Sequence, residues 1–286
     1  MNTLSNVLNG LAYGSLLFLV ASGLTITFGL MRSINLAHGA FYLIGGYLAY
    51  DLFTRTGAYW QSLLLATLAA FVLAIALQRF LLQRVVDQEM PQIILTLGVA
   101  LVVGDQILSH YGGDPVSPPV PPGLDSAVEL GDFVFPKFRL AMIVVAVVVM
   151  VLIQALLRYT SVGARVRAAV DDQEIARTTG LRVPLIFMFV FGAGSALAAF
   201  AGVWGGAFTS LAPDLGFDIL LLALVVVVVG GLGSISGAFI AAIGVGIVDQ
   251  MGRILAPQWS MFTIYAAVAL FLALRPRGLL GKVEIR

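Results

Sequence analysis

The sequence predicts an all-α polytopic membrane protein, one domain over 1–286, with about eight or nine transmembrane or broken helices. Three observations carry that prediction. First, 60% of the residues are hydrophobic and 11% charged, where soluble domains average about 45–50% and about 25%; the mean hydropathy is +1.01. Second, the apolar residues gather into runs that approach or exceed about 18 residues, the length of a membrane span. Third, the 31 glycines suit helices that approach closely in lipid.

In chain order the runs are Val7–Leu30, Gly39–Leu52, Gln61–Leu82, Pro91–Ser109, Phe138–Leu157, Leu185–Ser210, Asp218–Val229, Gly237–Gly252 and Ser260–Leu274. The first lacks the basic start and small-residue cleavage site of a signal peptide, so it reads as a retained helix. The runs at 39–52 and 218–229 are under about 15 residues. At about 1.5 Å per residue they fall short of a hydrocarbon core of about 30 Å. They are expected to be broken or partly re-entrant, covered by protein or water.

Loop charge orients the chain. Arg158, Arg165, Arg167, Arg177 and Arg182 cluster in one connection, and Arg275, Arg277, Lys282 and Arg286 lie in the tail. Both regions are expected in the cytoplasm, as is 79–90 with Arg79 and Arg84. The stretch 111–137 has six prolines, four acids and one lysine; it and Ala212–Asp218 are expected outside. An odd number of crossings then puts the N-terminus outside and the C-terminus inside; if one short run is re-entrant, the side of the N-terminus flips. With no cysteine there is no disulfide or thiolate metal site, and a net charge of +1 gives no reason to expect nucleic acid.

Three stretches stand out. Gly163–Gly180 is charged and helical in pattern, with a modest stripe of Val166, Ala169 and Val170. It is too polar to span. It reads either as a solvated cytoplasmic hairpin or as a docking helix, which from Gly163 to Thr178 would reach about 24 Å. Ser33-Ile34-Asn35-Leu36-Ala37-His38-Gly39 places polar groups beside membrane glycines. It reads as a kink lining a polar path, or as a histidine bonded to a carbonyl that holds a break in shape. Gly230, Gly231, Gly233, Ser234, Ser236 and Gly237 form a glycine-serine break. It lacks the lysine of a Walker loop, so it holds no nucleotide; it coordinates a polar solute or packs helices tightly. The segments 33–49 and 234–248 share Ser-Ile, Gly-Ala-Phe and spaced glycines, a candidate internal repeat. Asp105, Gln106, Asp249 and Gln250 lie near outer helix ends, where charge costs little, and no chain of ionisable groups crosses the membrane.

These stretches resemble the branched-chain amino acid (Liv-type) permease family of bacterial ABC importers, in particular the first permease of the family's pair. The motifs are Ile34-Asn35-Leu36-Ala37-His38-Gly39, then the spaced set Gly163, Arg167, Ala168, Asp172, Ala176 and Gly180, then Gly230, Gly231, Gly233, Ser234, Ile235, Gly237 and Ala238, and finally Pro276 to Gly281. Ser236 stands where the family often carries proline. The motifs span essentially the whole chain, and they specify the family without specifying the solute.

The resemblance implies an ABC importer permease fold and a bacterial inner-membrane location. It implies partners: a second related permease, two cytoplasmic ATPase subunits and a periplasmic solute-binding protein. No cofactor is expected on this chain, since ATP would be used by the partner ATPases. The ATPase-coupling segment, about 159–184, would act through Gly163, Arg167, Ala168, Asp171, Asp172, Ala176 and Gly180. The substrate path would involve Ser33, Asn35, His38, Gly39, Gly230, Gly231, Gly233, Ser234, Ser236 and Gly237, with 33–39 and 230–237 facing each other. The solute is most consistent with branched-chain or related amino acids; related permeases also serve urea, amides and small organic acids. An autonomous carrier or channel is the alternative. A membrane enzyme fits worst, because no cluster has catalytic spacing.

Overall fold

The computed structural model describes residues 3–31, 35–85, 88–130, 133–275 and 278–280. Each of the nine apolar runs is a helix: α1 (Thr3–Met31), α2 (His38–Thr56), α3 (Tyr59–Phe80), α4 (Glu89–Tyr111), α5 (Lys137–Tyr159), α8 (Val183–Thr209), α9 (Leu215–Gly230), α10 (Ile235–Leu255) and α11 (Ser260–Leu274). Between α5 and α8 lie two short helices, α6 (Ser161–Asp171) and α7 (Gln173–Thr178). Six helices are long and apolar enough to cross a membrane, namely α1, α3, α4, α5, α8 and α10. The protein is a multi-pass inner-membrane protein. The 111–137 stretch carries an antiparallel hairpin, β1 (Ala127–Leu130) with β2 (Phe133–Pro136), in the register Ala127 to Pro136.

Helices α1 to α4 recur as α8 to α11. Helices α1 and α8 end at Met31 and Thr209, α2 and α9 start at His38 and Leu215, and α3 and α10 start at Tyr59 and Ile235, each pair about 177 residues apart. The packing recurs as well. Helix α1 lies on α10 as α8 lies on α3, α2 lies on α8 as α9 lies on α1, and α1 meets α8 as α2 meets α9. This pairing differs from the 33–49 and 234–248 pairing read from the sequence. The break before α2 corresponds to the break before α9, not to the one before α10.

Small residues bring these helices together. A Cβ on Gly14 would overlap the backbone of Ala242 and Ile243, and one on Gly246 would overlap Gly10 and Gly14. Gly23 and Gly194 meet in the same reciprocal way where α1 crosses α8. Around the crossing lies the core, including Leu16, Leu17, Phe18, Leu24, Tyr42, Ala223, Val226 and Ala242.

Two features differ from the sequence expectation. Helix α2 is unbroken over 19 residues, longer than the apolar run, because a polar last turn continues its hydrogen bonds. Arg55 pairs with Asp51 at 2.9 Å there, and Gly57, at φ 68°, closes the end by bonding Phe53 O. The break therefore precedes α2. Similarly, the single helix expected over 163–178 is two helices. Asp172 leaves helical geometry and its carboxylate accepts the Glu174 and Ile175 amides, both at 2.9 Å, starting a new helix.

Candidate functional site

Helix α2 starts deep inside the molecule. The His38 Nε2–H donates to Val20 O at 2.9 Å, and the ring is fully buried. Val20 lies 11 residues before the end of α1, about 16 Å along the axis, roughly half a hydrocarbon core. Asn35 is buried too; its Oδ1 accepts the Ala37 amide at 3.0 Å, and the Leu36 amide donates to Thr96 Oγ1 on α4 at 3.2 Å. Side chains that looked costly in the membrane are thus spent on the backbone of a half-membrane helix start. Ser33 and Ile34 lie outside the described residues, as do Pro276, Arg277 and Gly281 of the tail motif.

The start of α9 meets the start of α2. A Cβ on Gly39 would overlap Gly216 O, and one on Gly216 would press on Gly39 O at 3.3 Å. From this contact the helices diverge. Helix α2 runs to Tyr47, whose hydroxyl donates to Leu211 O at 3.3 Å, and α9 runs towards Gly233, which lies on Gly29 near the end of α1. Two helix N-termini, each equivalent to about half a positive charge, converge at mid-depth.

Beside this meeting point a cavity of about 440 Å³ opens between α2, α4 and α9. Leu36, Leu43, Leu101, Leu108 and Phe217 give it apolar walls, while Asp105 and Asp214 give it acids, with Gly113 and Pro213 at the end nearest the 111–137 loop. Asp105 makes no hydrogen bond or ion pair among the described residues. By contrast, Asp249 is buried and held by Arg253 Nε at 2.8 Å. The sequence treated the two acids alike; only their surroundings separate them. Asp214 and Phe217 were missed because nothing in their spacing ties them to α2 or α4. The signal that could have found them is Ser33 and Gly39 recurring at the same spacing as Ser210 and Gly216.

The glycine-serine break is placed elsewhere. Ser234 Oγ accepts the Gly237 amide at 3.1 Å, Gln154 Nε2 donates to Ser236 Oγ at 2.8 Å, and Gly231 and Gly233 turn the chain at φ 96° and 78°. Gly230 and Gly237 touch each other, and the amides of Leu279 and Leu280 bond Val229 O and Gly230 O at 2.8 and 3.1 Å. This break is a knitted turn against Gly29, and the structure does not bring it face to face with Gly39. Among the described residues there is no group of His, Asp and Glu fit for a metal.

The charged segment between α5 and α8 turns its apolar stripe inward. Val166, Ala169 and Ala176 are buried, the last two in a cluster with Val183 and Phe187 and, partly, Met31. Gly163 is buried against Leu157 O, leaving no room for a Cβ, and Arg167 Nη1 donates to the same carbonyl. Gly180, at φ 83°, ends α7. Ala168, Asp171, Asp172 and Ile175 remain exposed. The stripe expected to face a partner is thus consumed within the chain, and the outward face is the complementary one.

Comparison with known proteins agrees with this architecture. Residues 6–274 match the family model described as branched-chain amino acid transport system / permease component. The chain is 26% identical to the high-affinity branched-chain amino acid transport system permease protein BraD of Pseudomonas aeruginosa, over 99% of this chain and 97% of that one. It is 27% identical to the corresponding LivH of Escherichia coli, over 99% and 96%. Over 34% of its length it is 32% identical to the fructose import permease protein FruF of Bifidobacterium longum, covering 28% of that protein. No solved structure matches it. With nearly its whole length matched, this chain belongs to the family of branched-chain amino acid transport permeases.

Proposed function

We propose that the chain is the permease subunit of an ATP-binding cassette importer for branched-chain or closely related amino acids. The cavity between α2, α4 and α9 would be the outer part of its solute path. The observation that carries the reading is the chemistry of that cavity. It sets apolar walls sized for a small side chain beside two carboxylates suited to an ammonium group, and next to helix N-termini suited to a carboxylate. A fructose-like solute would find few neutral hydrogen-bonding side chains there.

On this reading a second related permease completes the path and a periplasmic binding protein delivers the solute. Two ATPase subunits dock on the exposed face of α6 and α7, in the cytoplasm. The chain carries no Walker motif of its own. The turn at Gly230–Gly237 and the break at Asn35–Gly39 hold the helices whose movement opens the path.

The test is uptake of labelled leucine by cells carrying Asp105→Asn. A lost charge-assisted contact is worth about 1.5–3 kcal/mol, so half-saturation should rise by about tenfold or more with the complex still assembled. Unchanged leucine half-saturation, or uptake of fructose in place of leucine, would remove the amino-acid reading.

A further inference from the structure

A second, larger cavity lies away from the first, at the arginine-rich end of the molecule. Its volume is about 1060 Å³, and it lies against α1, α3, α5, α6 and α8. Along α8 its wall runs from Leu185 to Leu197, about 18 Å at 1.5 Å per residue. One leaflet's hydrocarbon is about 15 Å deep, half of about 30 Å. The walls are almost wholly apolar, and Leu152, Leu156, Leu185 and Phe189 stand exposed along them. The polar end is marked by Arg165 on α6 and Arg182 just before α8. Neither guanidinium makes a hydrogen bond or ion pair among the described residues.

We infer that this groove is a binding site for one anionic phospholipid of the leaflet at the arginine-rich end. The acyl chains lie along α5 and α8, and the phosphate is held by Arg165 and Arg182. The argument is complementarity in both depth and charge. A groove one leaflet deep accepts chains that begin at the interface, and two unpaired arginines sit where those chains meet the headgroup. Guanidinium binds phosphate by paired hydrogen bonds, and basic pockets between membrane helices on the cytoplasmic side hold anionic headgroups. A zwitterionic headgroup brings its own cation and offsets neither guanidinium in net charge, whereas an anionic one offsets one of the two. The groove also backs onto Val162 and Val166 of α6, so the lipid would brace the exposed charged segment from behind.

The experiment uses the detergent-extracted complex reconstituted into phosphatidylcholine discs. Spin-labelled phosphatidylglycerol and spin-labelled phosphatidylcholine are compared for the fraction held motionless by protein. Wild type should prefer phosphatidylglycerol. Arg165→Gln and Arg182→Gln should each lower that preference about fivefold, and the pair should abolish it. Ala193→Phe, which fills the groove without touching charge, should reduce the immobilised fraction of both lipids. Equal preference in the double arginine variant and wild type would overturn the site. So would efficient cross-linking of Leu156→Cys to a protein neighbour in native membranes, since the groove would then be covered by a subunit. Leucine uptake is not the readout, so the outcome is independent of the solute assignment.

Discussion

Two breaks in this chain use the same chemistry in opposite settings. Before α2, the Asn35 side chain accepts the Ala37 amide at 3.0 Å; before α7, the Asp172 side chain accepts two amides at 2.9 Å. The first is walled in by backbone, with Gly39 on Gly216 and His38 on Val20. The second lies exposed, with its buried neighbours on one side only. A break that is enclosed fixes geometry, because the Leu36 and Ala37 amides and the His38 Nε2–H it frees are each met by a fixed neighbour. A break that is exposed leaves one face for something else to grip.

The sharpest way to break the comparison is Gly39→Leu. The added atoms meet the Gly216 carbonyl, which cannot swing aside as a side chain would. Overpacking a core costs about 1–3 kcal/mol, sometimes more, and a backbone clash belongs at or beyond the upper end. Folded yield on size exclusion should collapse, and uptake with it. Gly98→Ala on α4 is the control, because nothing lies within 4 Å of a Cβ there; it should leave yield unchanged. A normal yield from Gly39→Leu would show that the α2–α9 contact is loose.

Next in size is Ala168→Glu. Ala168 is exposed on α6, so the chain should fold normally while pull-down of the ATPase subunits weakens. Docking surfaces concentrate energy in few residues, and a loss of about 2 kcal/mol, about thirtyfold in affinity, is expected. Wild-type pull-down would return the segment to an ordinary solvated loop. The smallest effect belongs to Asp172→Ala. It removes the cap of a six-residue helix, worth about 1 kcal/mol. Hydrogen exchange should quicken at Glu174 and Ile175 and nowhere in the α1–α8 crossing; protection unchanged at both amides would mean the cap is idle.

Much of this fold was legible because lipid forces apolar residues into long runs, and all nine runs became helices. Helix ends were less so. Asp51 to Thr56 extend α2 by hydrogen bonds and an ion pair that hydropathy does not register. The interruption at Asp172 left an ordinary signal, an acid followed by Gln-Glu, overshadowed by helical periodicity on either side. The pairing of α1 to α4 with α8 to α11 was hidden for a deeper reason. Its central contact is glycine backbone on glycine backbone, so little side-chain likeness marks it, whereas the tempting likeness of 33–49 to 234–248 joins segments that are not equivalent. His38 was readable as a residue holding a break. Asp105 was visible, but its lack of a partner among the described residues is a property of the assembled helices.

The repeat also bears on how the chain is born into the membrane. Helices α1 to α4 and α8 to α11 share one arrangement, and α1 runs antiparallel to its counterpart α8, Gly23 meeting Gly194 while Leu16 meets Gly205. A unit that packs equally well either way up carries little instruction about which way to insert. That instruction must come from outside the shared plan, and the segment between the halves supplies it: Arg158, Arg165, Arg167, Arg177 and Arg182 lie there together. Those residues therefore serve the ribosome-bound chain before they serve the finished protein. By the loop-charge rule, they bias the side of the membrane on which the segment joining the two halves is kept during insertion.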